Sequence, residues 1–302
     1  MIATGDTEGT EKRSLKSKAL LLITAIIWGF AFVAQRKGME FVSPFTFNAI
    51  RFLIGCVSLL PFVFVARDAT PTTTNRKTIL LGGIAAGTIL FIATSLQQIG
   101  VVYTTAGKAG FITGLYVILV PILGLALGHR TGLWTWAGAI AGVIGLYLLS
   151  VTDALTIEYG DLLVLIGAFF WAIHVHIIAK FGAPIGALRL SLMQFAICAG
   201  LSFIAALSFE TTRASDLIDG ALPILYTGVL SVGVAYTLQV VGQRDTPPSQ
   251  AAIILNLETV FAVIGGWLLL SETLPPRGVI GCAVMFIGMI VSQLDARRLD
   301  AD

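Results

Sequence analysis

The stretch ATSLQQIGVVYTTAGKAG, Ala93 to Gly110, decides the fold, because a second stretch, AYTLQVVGQRDTPPSQAA from Ala235 to Ala252, falls on it at a shift of 142 residues. The alignment pairs Ala93 with Ala235, Leu96 with Leu238, Gln97 with Gln239, Gly100 with Gly242, Thr104 with Thr246 and Ala109 with Ala251. Continued at the same shift, it brings Leu115 onto Leu257, Ile122 onto Ile264 and Leu127 onto Leu269. A shift of 143 lays Trp28 on Trp171 near the start of each half, and Gly138 and Gly145 on Gly281 and Gly288 near the end. One unit is therefore used twice.

The composition says what kind of unit it is. Of the 302 residues 56% are hydrophobic and only 12% charged, against about a quarter charged in soluble globular domains. Apolar segments long enough, or nearly so, to cross the roughly 30 Å hydrocarbon layer recur near Ala19 to Ala34, Pro44 to Val65, Thr78 to Gln98, Thr105 to Leu127 and Leu133 to Val151. They continue near Gly160 to Ala179, Ile185 to Leu207, Ala221 to Val241, Ala251 to Leu270 and Val279 to Leu294, which makes ten. Segments with no solvated face belong in lipid as helices, where backbone polar groups are satisfied internally. The expected fold class is an all-α membrane protein with ten transmembrane helices arranged as two inverted five-helix repeats. The expected division is a cytoplasmic tail over 1–17, a first repeat over 18–154, a second over 155–295 and a cytoplasmic tail over 296–302.

Orientation follows from the loop cations. Of the 19 Lys and Arg residues, Arg51 lies mid-span and five (Arg36, Lys37, Lys108, Arg213 and Arg277) fall on one side; the remaining thirteen fall on the side of the N-terminus. Both termini are thus expected in the cytoplasm. Because five is odd, the second copy enters the membrane upside down relative to the first. Inverted repeats are characteristic of secondary transporters, which bind substrate near the midplane between the halves.

The basic N-terminus and the run Ala19 to Ala34 resemble a signal peptide, but Gln35, Arg36 and Lys37 stand where a cleavage site would be, so the run reads as an uncleaved first helix. Cys56, Cys198 and Cys282 lie inside apolar segments without CxxC or Cys/His spacing and read as packing residues. Gly107-Lys108 lacks the spacing of a phosphate-cradling loop and there is no HExxH, so neither ATP hydrolysis nor zinc proteolysis is indicated. A net charge of +2, with its cations dispersed, does not suggest nucleic acid. No cofactor, metal or obligate protein partner is expected; the expected partners are a small-molecule substrate, the lipid bilayer and a coupling proton.

The segments YTTAGKAGFITGLYVILVPILGLALGHRTGLWTWAGAIAGVIGLYLLS and LNLETVFAVIGGWLLLSETLPPRGVIGCAVMFIGMIVS, with the openers WGFAFVAQRKG and GDLLVLIGAFFWAIHVHIIAK, resemble the paired modules of the drug/metabolite transporter superfamily, of the bacterial ten-helix EamA type. The resemblance runs from the first span to the last. It implies an inner-membrane exporter of amino acids and related metabolites, with a central cavity lined by the first, third, fourth, sixth, eighth and ninth helices and with the fifth and tenth peripheral. Two departures stand out. Relatives often carry Gly-Glu after the fourth span, where this chain has Gly128-His129, although the second copy keeps Ser271-Glu272. The frequent mid-helix proline of the fourth and ninth spans is replaced by Val117 and Thr259, which puts the hinge position in question.

A charge at the membrane centre costs about 2.5–3.5 kcal/mol on insertion scales, which singles out Arg51, Lys108 and Glu258. Glu258 shares a helix face with Ala251, Ala262 and Gly265, a stripe suited to a cavity wall or to close helix packing. In the repeat it pairs with Tyr116, and Asn256 pairs with Gly114. Gln97 and Gln239 form a second symmetric pair, amides that hydrogen-bond either a polar metabolite or a neighbouring backbone. Trp28, Trp171 and His174 read as an aromatic wall or as bundle packing; His176 points about 200° away from His174. The candidate cavity residues are therefore Trp28, Gln97, Tyr116, Trp171, His174, Gln239, Asn256 and Glu258. Lys108 reads as snorkelling to water or drawing a carboxylate to the outer mouth, and Arg51 as pairing with a carbonyl or a loop carboxylate rather than with cargo. The function so read is alternating-access export of small metabolites. The alternatives are a proton-coupled drug or cation efflux protein and a membrane-embedded enzyme.

Overall fold

A computed structural model describes residues 4–65, 75–126, 128, 132–150 and 157–292. All the elements among these residues are helices. The first half runs through α1 (Thr4–Gly38), α2 (Pro44–Val65), α3 (Arg76–Tyr103), α4 (Ala106–Gly114), α5 (Tyr116–Ala126) and α6 (Leu133–Ser150). The second runs through α7 (Tyr159–Ile185), α8 (Ala187–Phe209), the short α9 (Ala214–Asp219) and α10 (Ala221–Leu225), and a π-helical run Tyr226–Tyr236. It ends with α11 (Thr237–Gly242), α12 (Pro248–Leu255), α13 (Glu258–Leu270) and α14 (Pro276–Ser292). Helix α1 reaches back to Thr4, well before the apolar run that marks it in the sequence. His129 and the 296–302 tail lie outside the described residues.

Eight helical stretches are long and apolar enough to cross a bilayer, among them the joined pairs α4–α5 (Ala106–Ala126) and α12–α13 (Ala251–Leu270). The apolar parts of α6 and α14, Trp136–Leu149 and Pro276–Gly288, are shorter; at 1.5 Å per residue neither reaches a 30 Å core unaided. Large apolar side chains such as Leu53, Val57, Phe203, Ile204 and Leu207 are exposed, as a lipid-facing surface requires.

The repeat is visible as packing that happens twice. Ideal Cβ atoms built on Gly145 and Gly281 would lie 2.6 and 2.7 Å from the carbonyl oxygens of Gly281 and Gly145, and one on Gly288 would lie 2.9 Å from that of Gly138. Since Gly138 and Gly145 are the counterparts of Gly281 and Gly288, α6 and α14 cross antiparallel, each offering the other the same small-residue surface. The same reciprocity joins different helices elsewhere. A Cβ on Gly100 of α3 would meet the Gly160 carbonyl of α7 at 2.8 Å, and one on its counterpart Gly242 of α11 would meet Ser17 of α1, the counterpart of Gly160, at 3.0 Å. Helices α2 and α8 meet at their equivalent residues Phe52 and Phe195, with ring centroids 6.1 Å apart. Absent side chains let these backbones approach, and in lipid that closeness, with its van der Waals contacts, is the principal attraction between helices.

Both spans in which Val117 and Thr259 stand at the family's usual proline position are broken all the same, although the fourth keeps Pro121 further along α5. The breaks fall at equivalent places, Gly114-Leu115 between α4 and α5 and Asn256-Leu257 between α12 and α13. Each is spliced by tight i→i+3 bonds: Leu115 N–H to Ile112 O (3.2 Å) and Ile118 N–H to Leu115 O (3.0 Å), against Thr259 N–H to Asn256 O (3.0 Å) and Val260 N–H to Leu257 O (3.1 Å). Such 3₁₀ turns narrow the helix and turn its axis without removing a donor. Their effect is to make Tyr116 and Glu258 the first residues of α5 and α13.

The seam gives a direct test. Gly145→Val is expected to lower stability by about 1–3 kcal/mol through overpacking, seen as a lower melting temperature in detergent. Gly200→Ala, at a position where a Cβ meets nothing within 4 Å, leaves the melting temperature unchanged or raises it. Equal effects of the two would show that the glycine seam is not what holds α6 to α14.

Candidate functional site

The helix breaks and the π-helical run converge on one enclosed cavity of about 40 Å³, lined from both halves. That is room for a few waters and not for a metabolite, so the structure is closed around its centre. Six of the eight sequence candidates line it: Trp28, Gln97, Tyr116, Trp171, Gln239 and Glu258. The other two do not. His174 is fully buried behind the wall, where its Nε2 meets Gln194 Oε1 at 2.8 Å, and its ring abuts Trp171 edge-on with centroids 5.8 Å apart. Asn256 is buried at the break itself, where its backbone N–H closes α12 on the Ala252 carbonyl at 2.9 Å.

The amide pair reads differently on its two sides. Gln97 Nε2 donates to Gln35 Oε1 (3.0 Å), and Gln97 Oε1 accepts from Trp171 Nε1 (2.8 Å), so α1, α3 and α7 are tied by one relay. Gln35 is a lining residue that sequence reasoning missed, since its counterpart in the second half is Ile178 and no symmetry marks it. Gln239 Oε1 is buried without a partner among the described residues, as are Thr113 Oγ1 and Tyr116 Oη, all three on residues of the cavity wall.

Tyr236 is another lining residue that the repeat does not mark, because its counterpart is Thr94. It ends the π-helical run, whose wider turn is the kind of irregularity that re-aims a side chain. Its ring sits between the two symmetric tryptophans, 4.7 Å from Trp28 and 6.2 Å, stacked, from Trp171. The run also presents the Ser231 carbonyl, which accepts from Trp28 Nε1 at 3.2 Å. Three aromatic residues thus form one wall; the sequence located two of them.

Arg51 and Glu258 bring charge into the cavity. Both line it and both are buried, at 2% and 4% exposure. The sequence reading assigned Arg51 to a carbonyl or a loop carboxylate. Instead its guanidinium lies over the rings of Phe47 and Phe52, 5.6 and 5.1 Å from their centroids, and its Nε has no hydrogen-bond partner among the described residues. Lys108, by contrast, neither snorkels nor waits for cargo. Its ammonium is paired with Glu158 (2.6 Å) and with the fully buried Asp161 (2.7 Å), which also accepts from Thr104 Oγ1 at 2.6 Å.

This ion pair belongs to a set of clamps at one end of the bundle. Glu272 accepts from the backbone N–H groups of Ala106 (2.8 Å) and Gly107 (3.1 Å) at the start of α4. Ser271, at φ 54°, turns the chain out of α13 so that this carboxylate reaches across. Glu210 does the same for α2, accepting from Phe45 N–H and Thr46 N–H, both at 2.8 Å. Each is a carboxylate from the second half on the free N–H groups and positive dipole end of a first-half helix. At the opposite end the described residues include ties from Ser17 Oγ to Asp245 at 3.2 Å and from Gln243 Nε2 to the Val175 carbonyl at 3.4 Å.

Residues 15–151, and again 158–293, match the EamA-like transporter family. The chain belongs to the EamA-like transporter family. It is 31% identical over 291 residues to an uncharacterized transporter of Archaeoglobus fulgidus, with 96% of this chain and 89% of that one covered. It is 25% identical over 254 residues to the uncharacterized inner membrane transporter YedA of Escherichia coli K12, with 82% and 81% covered. A solved crystal structure superposes with a TM-score of 0.67 at 20% identity, covering 94% of this chain and 98% of that one, a likeness of fold. This EamA protein is accordingly a multi-pass inner-membrane transporter and not an enzyme.

The clamp gives a second prediction. Asp161→Ala leaves the largely buried ammonium with the half-exposed Glu158 alone, and Lys108→Ala strands the buried Asp161 carboxylate. Each is expected to cost roughly 2–4 kcal/mol, reduced by the 13% of Lys108 that remains in solvent. The double variant Lys108→Met/Asp161→Leu is expected to recover much of the loss in a detergent melting series. Additive losses would show that the two groups do not act as a pair.

Proposed function

We propose that this transporter exports small polar metabolites, amino acids or closely related compounds, by alternating access, as its two halves rock about the central cavity. The observation that carries the reading is the cavity itself: enclosed, flanked by equivalent helices of both halves, and lined by aromatic rings together with uncommitted polar atoms. The halves run as ten spans with both termini in the cytoplasm, which puts the carboxylate clamps on the outer side. The described conformation is then closed outward by Glu210, Glu272 and the Lys108 cluster.

In this cycle Gln97, Tyr116, Gln239 and Glu258 contact cargo, Trp28, Trp171 and Tyr236 form the wall it slides against, and His174 and Asn256 support from behind. A second reading, coupling of efflux to a proton, is favoured by one observation: Glu258 is a buried carboxylate in the cavity wall with no ion-pair partner among the described residues.

In proteoliposomes loaded with a panel of radiolabelled amino acids, wild-type protein is expected to move at least one of them. Glu258→Gln and Tyr116→Ala are each expected to slow that flux tenfold or more, with folding checked by size-exclusion profile. Wild-type flux in both variants would show that the site is elsewhere. Dependence of efflux on an imposed pH gradient, lost in Glu258→Gln, selects the proton-coupled reading; independence from the gradient rejects it.

A further inference from the structure

Resting on that transport reading, we propose that Arg51 and Glu258 are the two charged poles of the cavity and that together they select a compact zwitterion, Arg51 taking its carboxylate and Glu258 its ammonium group. The two side chains come from opposite halves, α2 and α13, and both face the same cavity. Neither forms an ion pair among the described residues, with the other or with anything else; Arg51 has aromatic faces beneath it and an Nε without a partner. An ionised group in a membrane interior that is not neutralised by its own protein is expensive to keep, and such groups mark substrate pathways.

The repeat supplies an internal control. At a shift of 143, Arg51 corresponds to Gln194, Phe52 to Phe195 and Ala31 to His174. In the second half the corresponding pair closes on itself, His174 Nε2 to Gln194 Oε1 at 2.8 Å, fully buried and outside the cavity. In the first half the amide has become a guanidinium and the imidazole an alanine, and both Arg51 and Ala31 line the cavity. The position that pairs with a neighbouring side chain in one copy, where His174 Nδ1 and Gln194 Nε2 are left without partners among the described residues, opens onto the cavity and carries a guanidinium in the other, which a packing role for Arg51 does not require.

The charge balance then fixes the cargo class. A solute carrying only an ammonium group neutralises Glu258 and leaves Arg51 uncompensated, and one carrying only a carboxylate does the reverse. A solute with both neutralises both poles and adds no net charge to the membrane interior. Because the poles sit on different halves, such a solute also bridges them, so binding favours the conformation in which the halves are drawn together.

The test uses the full chain in proteoliposomes and matched probes on two skeletons: leucine, leucinamide and 4-methylpentanoate, and phenylalanine, phenylalaninamide and 3-phenylpropionate. Wild-type protein is expected to move at least one zwitterion at least tenfold faster than either of its singly charged analogues. In Arg51→Gln the preference over the amide is expected to fall below threefold while the preference over the acid persists, and Glu258→Gln is expected to show the converse. Arg51→Lys is expected to restore the preference over the amide. Equal transport of amide, acid and zwitterion by wild-type protein overturns the proposal without recourse to any variant. An unaltered zwitterion-to-amide ratio in folded Arg51→Gln overturns it while leaving amino-acid transport standing. Folded wild-type protein that moves none of the six probes overturns the amino-acid reading and this inference with it.

Discussion

Self-complementarity is the constraint on which the rest of this structure depends. A five-helix unit that meets an inverted copy of itself has to present, along each seam, a surface that fits its own antiparallel image. Side chains of ordinary size make that difficult, because a knob on one helix meets the same knob coming the other way. Glycine resolves it. The Gly145 to Gly281 and Gly138 to Gly288 contacts, and the Gly100 and Gly242 contacts with α7 and α1, are places where backbone meets backbone. In lipid, which is as apolar as any leucine, such proximity is the main source of attraction. The many glycines of this chain, 32 in all, follow in part from that requirement.

Much of this was legible in the sequence, because duplication leaves a trace that composition alone does not. The shift that pairs Gln97 with Gln239, Trp28 with Trp171 and Tyr116 with Glu258 singles out six residues that line the cavity, but that Tyr116 and Glu258 sit at helix breaks is not written in it. What symmetry does not mark stayed hidden. Gln35 and Tyr236 line the cavity opposite nothing of their own kind, Ile178 and Thr94 being their counterparts. Tyr236 also depends on a π-helical run that residue spacing at 3.6 per turn does not foresee. His174 shares a face with Trp171 but lies behind the wall, its Nε2 paired with Gln194 on the next helix.

Charges were the hardest to place, since a sequence shows that a residue lies mid-span and not what faces it. Lys108 and Arg51 exchanged roles on this account. The lysine is bound into a structural cluster with Asp161 and Glu158, and the arginine lies open to the cavity over aromatic rings. The acidic residues divide similarly. Glu210 and Glu272 are fully occupied by helix N-termini, and Glu258 is not. An acid whose oxygens are already filled by backbone donors holds shape; an acid with oxygens to spare is available to a visitor.

The two helix breaks have a bearing on how such a molecule moves. A proline hinge is permanent: the ring has removed a donor and set its angle, and the kink stays wherever the chain goes. At Leu115 and Leu257 nothing has been removed. Each amide there still carries its hydrogen and has only exchanged a partner four residues back for one three back. Such a joint is a setting rather than a part. It can tighten or relax by trading one carbonyl for the next, and its inverted twin is built in the same way.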